Sequence, residues 1–165
     1  MDNSKLIGYS PIGIAHSRFT EMKNTPVQGA FAPQATGEIE VFEEYRDGLK
    51  DLDTFTHIIL LYHFHLSQGY DLVSEPQIED DPHGVFSMRV NRRPNAIGFS
   101  VVKLDRIDGN ILHVSEFDIL DGTPILDIKP FVNMMDNRPD ASNGWVKPPH
   151  MEDIQNETSK RASGN

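Results

Sequence analysis

Val101-Val102-Lys103-Leu104 and Ile111-Leu112-His113-Val114, joined through the turn residues Asp108-Gly109-Asn110, decide the class of fold. Gly and Asn adopt the left-handed backbone of a tight turn at little cost, and the flanking runs are rich in β-branched residues, so the stretch predicts an antiparallel hairpin. Outward from it, apolar residues recur in short runs bounded by Gly, Pro, Asn and Asp, which is a strand pattern. Strands are expected at Leu6–Ala15, Glu38–Phe42, Thr56–Leu66, Gly84–Val90, Ile97–Ile107, Ile111–Leu120 and Ile125–Ile128. A chain of this kind is mainly β, with an antiparallel barrel or sandwich as its architecture.

Within the third run, Ile58-Ile59-Leu60-Leu61-Tyr62 is apolar at both odd and even positions and so suits a central strand covered on two sides. Helical signal is scarce. Leu49, Leu52 and Phe55 fall at roughly helical spacing in Glu43–Phe55, but Gly48 limits the expectation to short helical turns. From Asn137 the chain turns polar and is punctuated by Pro139, Pro148 and Pro149, with Ile154 as the lone anchor in Met151–Arg161. Residues 1–136 therefore read as one β-barrel domain and 137–165 as a polar tail or short docked helix.

The chain has 165 residues and a formal charge of −10, which opposes non-specific binding to nucleic acid or to an anionic membrane. It contains no cysteine, which removes disulfides and thiolate metal sites and fits a reducing compartment. The start, Met1–Lys5, is polar, and Pro11, Gly13 and His16 interrupt the apolar residues that follow, unlike a signal peptide or a membrane span. A cytoplasmic protein is expected. The GxSxG, GxxxxGK[ST] and GxGxxG patterns are all absent, which withdraws support from serine hydrolases, phosphate-loop enzymes and dinucleotide-binding folds.

Four features could carry chemistry. His63 and His65 sit two apart, on one side if the strand continues through them, but a pair is short of a zinc site and no metal is expected. Glu79-Asp80-Asp81 before Pro82 reads as a solvated acidic loop. Arg89, Arg92 and Arg93 crowd before Pro94-Asn95-Ala96-Ile97-Gly98, either as an exposed charged loop or as forked donors for a carboxylate or phosphate beside a rigid bend. The turn Asp121-Gly122-Thr123-Pro124 leads into Ile125-Leu126-Asp127-Ile128-Lys129-Pro130, where Asp127 and Lys129 share a face. That pair is a structural salt bridge or a substrate-facing acid and base; spacing does not separate the two.

Three motifs in order, His83-Gly84-Val85-Phe86-Ser87-Met88-Arg89, Arg93-Pro94-Asn95-Ala96-Ile97-Gly98 and Asp121-Gly122-Thr123-Pro124-Ile125-Leu126-Asp127-Ile128-Lys129-Pro130, resemble the TsaA-like family, whose bacterial type is the TrmO enzyme. Pro26-Val27-Gln28, Gly48-Leu49 and the run from Phe55 to His65 support the likeness, which covers about Ile7 to Asp136. The resemblance implies a TsaA-like β-barrel methyltransferase using S-adenosylmethionine, homodimeric, with the cofactor near the subunit interface. It implies N6-methylation of threonylcarbamoyl-adenosine beside the tRNA anticodon. By motif, cofactor contacts would fall on Pro26, Val27, Gln28, Phe64, His65, Arg89, Phe99, Leu120, Asp121, Gly122 and Thr123. Arg92 and Arg93 would meet the substrate's carboxylate or phosphates. Asn95, Asp127 and Lys129 would shape the acceptor side, with Asp127 as candidate base. Val27 stands where bacterial members commonly have Arg, Val90-Asn91 replaces a frequent Ser-Pro, and Ala96 replaces a frequent Pro. The bacterial enzymes carry a further C-terminal domain, so a small-molecule methyltransferase and a non-enzymatic cofactor-binding module stand as competing readings.

Overall fold

The computed structural model describes residues 6–76 and 80–164; Met1–Lys5 and Glu79 of the acidic run lie outside them. Strands β1 (Gly13–Ser17), β2 (Thr36–Val41), β3 (His57–His63), β6 (Ile97–Asp108), β7 (Ile111–Ser115) and β8 (Pro124–Pro130) close an antiparallel barrel in the order β1-β2-β7-β6-β3-β8. Strands β4 (Val73–Ser74) and β5 (His83–Gly84) form a separate two-stranded ribbon. The hairpin expected around Asp108-Gly109-Asn110 is β6–β7, with Asp108 opposite Ile111 and Gly109 at φ +64°.

Period-two alternation fills the barrel. Gly98, Ser100, Val102 and Leu104 of β6 point inward while Phe99 and Lys103 point outward. Ile39, Ile58, Leu60, Leu112 and Ile125 are fully buried beside them, and each such side chain stabilises the fold by about 1.5–3 kcal/mol. Strand β3 lies between β6 and β8, as every strand of a closed barrel lies between two others, and its apolar run is covered on the inner face alone. Its inner row, Ile58, Leu60 and Tyr62, is buried, whereas its outer residues Ile59 and Leu61 are half-exposed in the single chain.

Four expected strands are cut short, among them Thr56–Leu66, which is strand only over His57–His63 and leaves His65 beyond it. Leu6–Ala15 begins to pair regularly only at Gly13; Leu6, Ile7 and Tyr9 are exposed. In Gly84–Val90 only His83–Gly84 is strand, because Val85 and Met88 are buried three residues apart, the spacing of the 3₁₀ turn Val85–Ser87 and not of a pleat. Ile111–Leu120 ends at Ser115, where Glu116 takes φ +59° and turns the chain across the barrel mouth. Phe117 and Ile119 plug that mouth. The region Glu43–Phe55 forms 3₁₀ turns at Glu43–Leu49 and Leu52–Thr54, joined through Asp51 at φ +65°.

Beyond the short helix α1 (Asn133–Asp136), residues Pro148–Ser163 form a sixteen-residue helix, α2. Its start follows from two prolines in the first turn and from His150 Nδ1, which accepts the Lys147 N–H at 3.0 Å. Thr158 and Ala162 are buried one turn apart, and Arg18 donates to the Ala162 carbonyl. Trp145 ties the approach to α2 onto the His83 motif: it stacks on His83 with centroids 4.0 Å apart and donates its Nε1–H to the Ser87 carbonyl at 3.0 Å.

Gly98 has a steric reason. A Cβ there would stand 2.1 Å from the Tyr62 ring, which is 6% exposed, packed edge-on against Phe64 and fixed by a hydroxyl contact to Ser100. Gly98→Ala is expected to cost about 1–3 kcal/mol through overpacking. Urea unfolding reads this as a lower midpoint at unchanged slope.

Candidate active site

Four of the residues singled out by motif meet at one end of the barrel. Phe64, His65, Leu120 and Thr123 line one cleft with Met22, Tyr62, Asn91 and Asp118, enclosing about 80 Å³. The turn 120–123 is built by Gly122 at φ +75°, with the Thr123 N–H returning to the Leu120 carbonyl at 3.3 Å. It is anchored to β1, since the Gly122 N–H donates to the Ala15 carbonyl and the Ala15 N–H to that of Thr123. Asp121 Oδ1 accepts the Ser17 N–H at 3.0 Å. Burial lowers the pKa of His65 and neighbouring His63 adds to this, so its imidazole is neutral at physiological pH; Nδ1 lies 3.4 Å from the Thr123 hydroxyl.

A second set of residues, invisible as a motif, holds these pieces together. Asp118 Oδ1 accepts the Ser100 hydroxyl at 2.6 Å and Oδ2 accepts the Gly29 N–H at 2.9 Å. Ser100 in turn meets the Tyr62 hydroxyl at 3.1 Å. Gly29 follows Pro26-Val27-Gln28 and has no room for a side chain, because a Cβ would fall 2.0 Å from the Glu116 carbonyl. Helix α2 secures the same loop: the Gln28 N–H donates to the buried Thr158 hydroxyl at 3.3 Å. Burial raises the Asp118 pKa above the ordinary carboxylate value, against the opposing pull of Ser100, Gly29 and Arg89. Burial also raises the Tyr62 phenol, helped by the charge of Asp118. The visible signal in the sequence was a polar Ser100 at an inward position of an alternating strand. Asp118 itself was hidden by sitting between Phe117 and Ile119 in an apparent strand, where alternation assigns it to solvent.

Other predicted residues sit around this cleft. Pro26 is buried, Val27 is exposed and Gln28 is half-buried. Arg89 lies over the Phe99 ring, 5.9 Å from its centroid, on the outer face of β6. Asp127 and Lys129 form an exposed ion pair at 2.7 Å and are outside the cleft lining. Asp127 faces Leu61 across β8–β3, and Leu61 faces Phe99 across β3–β6, so Asp127 stands about 10 Å from Phe99 on one outer face. Arg92 pairs with Asp71 at 3.1 Å; Arg93 donates to the Met88 and Val90 carbonyls at 3.0 and 3.1 Å and closes its own turn. Asn95 is exposed, and its carbonyl accepts the Ile97 N–H at 2.7 Å. Among the described residues no cluster of three or more His, Asp or Glu could hold a metal, and no helix is long and apolar enough to cross a membrane. A roomier hollow of about 370 Å³ at the opposite end of the barrel is lined by Ile12, Leu49, Leu52, Phe55 and Ile128 and by none of the predicted site residues.

A barrel with no dinucleotide fingerprint, whose motif segments converge on one mouth, narrows the class. The family model described as the tRNA-methyltransferase O N-terminal domain matches residues 14–137, and the chain belongs to this family. A probable S-adenosyl-L-methionine-binding protein of Pyrococcus abyssi is 49% identical over 142 residues, covering 86% of this chain and 77% of that protein. The tRNA (adenine(37)-N6)-methyltransferase of Escherichia coli is 32% identical over 149 residues, covering 84% and 63%. The crystal structure of TrmO from Pseudomonas aeruginosa superposes with a TM-score of 0.74 at 38% identity, covering 86% of this chain and 63% of that one. The chain thus spans 63% of the length of each of these two bacterial proteins.

The raised Asp118 pKa makes stability depend on pH with a definite sign. Between the unfolded carboxylate value near 3.8 and the raised native value, the folded protein keeps a proton that the unfolded chain has released. This contribution is complete below that window and is lost as pH rises through the native value. Asp118→Asn is expected to remove it, so the Tm of wild type minus that of the variant falls as pH is raised from 4 toward neutrality.

Proposed function

We propose that the protein is an S-adenosylmethionine-dependent methyltransferase whose acceptor is N6 of threonylcarbamoyl-adenosine beside the anticodon of tRNA. The observation that carries this reading is that residues 64–65 and turn 120–123 meet at one cleft, where Asp118 holds the loop after Gln28 through Gly29 and strand β6 through Ser100. The donor set fits such a cofactor in kind: Phe64, Leu120 and Met22 offer apolar surface for a base and a methyl-bearing sulfur, and Thr123 and His65 offer polar edges. The cofactor supplies an activated methyl group. The chain's task is then to hold the donor carbon and the acceptor nitrogen close and in line. Arg89 would orient a polar or anionic part of the cofactor, Arg92 and Arg93 the substrate's carboxylate or phosphates, and Asn95, Asp127 and Lys129 the acceptor side, with Asp127 taking the proton.

A homodimer belongs to the proposal on two grounds. Small-molecule sites usually occupy about 300–1,000 Å³, several times what the cleft encloses, so one chain supplies only part of the wall. The outer face of β6-β3-β8 presents Ile59, Leu61, Ile97, Phe99 and Val101, an apolar surface that a second copy would cover. Residues 1–136 would act as the catalytic barrel, with 137–165 as its docked appendage, in the cytoplasm where tRNA is found. Leu61→Lys is expected to shift the protein to a monomer in sedimentation velocity and to weaken cofactor binding at least tenfold by calorimetry. A monomeric wild type would remove the dimer.

The second reading, a methyltransferase on a smaller acceptor or a cofactor-binding module, draws support from charge. The net charge is −10, and Arg92 and Arg93 are already engaged by Asp71 and by backbone carbonyls. Mass spectrometry of tRNA nucleosides after incubation with cofactor decides. A gain of one methyl on the hypermodified adenosine is expected, and an unchanged nucleoside beside proven cofactor binding would transfer the case to the second reading.

A further inference from the structure

Asp118 does more in the cleft than brace the loops around it. Of the residues that line the cleft it is the acidic one; the others are apolar, neutral polar or the largely neutral His65. Its two oxygens take donors from Ser100 and Gly29, an arrangement suited to the ionised carboxylate, and part of the side chain still faces the cleft. The nearest cation acting on it is Arg89, which leans toward the outer Phe99 ring. Burial favours the acid form of Asp118, and a cation entering among these aromatic and aliphatic walls, where charge is poorly screened, would draw it into the carboxylate.

On the cofactor assignment made above, we propose that Asp118 is the counter-charge to the sulfonium centre, so that the cleft discriminates the methylated cofactor from its demethylated product by charge. In methyl transfer the electron pair of the S–CH₃ bond stays on sulfur, the acceptor nitrogen's lone pair forms the new bond, and the acceptor's proton passes to Asp127 and from there to solvent. Sulfur ends as a neutral thioether. The attraction of Asp118 is lost at that moment, which favours release of the spent cofactor and its replacement by a fresh one.

Calorimetry with three ligands tests this: S-adenosylmethionine, S-adenosylhomocysteine, and sinefungin, which carries a protonated amine in place of the sulfonium. Wild type is expected to bind the two ligands cationic at that position more tightly than S-adenosylhomocysteine. In the isosteric Asp118→Asn those two should weaken about tenfold and S-adenosylhomocysteine less than about twofold. Ser100→Ala, which keeps the carboxylate but removes one of its braces, should preserve the wild-type ratio. Equal weakening of all three ligands in Asp118→Asn would overturn the proposal, since the carboxylate would then be a brace or a partner of the amino group common to all. Collapse of the ratio in Ser100→Ala would overturn it likewise. Should Asp118→Asn fail to fold, the wild-type ratio still decides, because no preference for the cationic ligands is incompatible with the assignment. Wild type that binds none of the three removes the cofactor reading itself, a failure distinct from an absent preference.

Discussion

The hydrogen-bonded chain Tyr62–Ser100–Asp118–Gly29 is the constraint on which the barrel mouth depends. It begins in the packed interior, where Tyr62 fills the space that Gly98 leaves open, and it ends on the loop that follows Gln28. Along the way it joins β3, β6 and the segment that crosses the mouth. Each group is satisfied by the next, so removing one member leaves a buried donor or acceptor without a partner, a cost of about 1–3 kcal/mol. A cleft assembled from four separated segments needs such a node. Apolar packing is non-directional and would allow the loops to slide, whereas a carboxylate accepting two donors fixes position and orientation.

Helix α2 adds a second fastening to the same loop. Thr158 receives the Gln28 N–H, Arg18 reaches the Ala162 carbonyl, and Trp145 pins the approach to α2 on the His83–Ser87 motif. The part of the chain with the poorest apolar pattern thus holds two of the motif regions. Its energetic weight is modest, since few large side chains are buried there. Its effect is geometric, holding the loop at Gln28 beside the Gly29 N–H that Asp118 accepts.

The fold was legible wherever a single local rule governed. The β6–β7 hairpin follows from turn chemistry, whereas the two-faced apolar run of β3, which suggested cover on both sides, is buried on one face. Strand ends were less legible, because tertiary demands decided them: Glu116 leaves β7 so that Phe117 and Ile119 can plug the barrel, which no pleat periodicity reports. For helix α2 the sequence left a tail and a short docked helix open, because the two residues it buries, Thr158 and Ala162, are small or polar and Met151 and Ile154 are only partly covered. Of the residues that the motif resemblance singled out, Phe64, His65, Leu120 and Thr123 line the cleft. It did not locate Asp118, since an acid between two buried apolar residues looks like the solvent face of a strand until the chain is seen to bend.

The two outer charges, Asp127 and Lys129, show how burial separates a candidate from a working group. Their ion pair is about half exposed, and such pairs are worth at most about 1 kcal/mol. An exposed carboxylate already paired with a lysine has little reason to act as a base unless a partner surface removes it from water. The apolar row Ile59, Leu61, Phe99 and Val101 runs across the same outer face. If a second copy covers that row, it desolvates Asp127 and Lys129 together, strengthening their attraction while raising the penalty for carrying charge. The same association would deepen the small cleft beside Phe64 and His65. On that proposal, assembly of a dimer and activation of the acceptor side would be one physical event, because both require water to leave one face of the barrel.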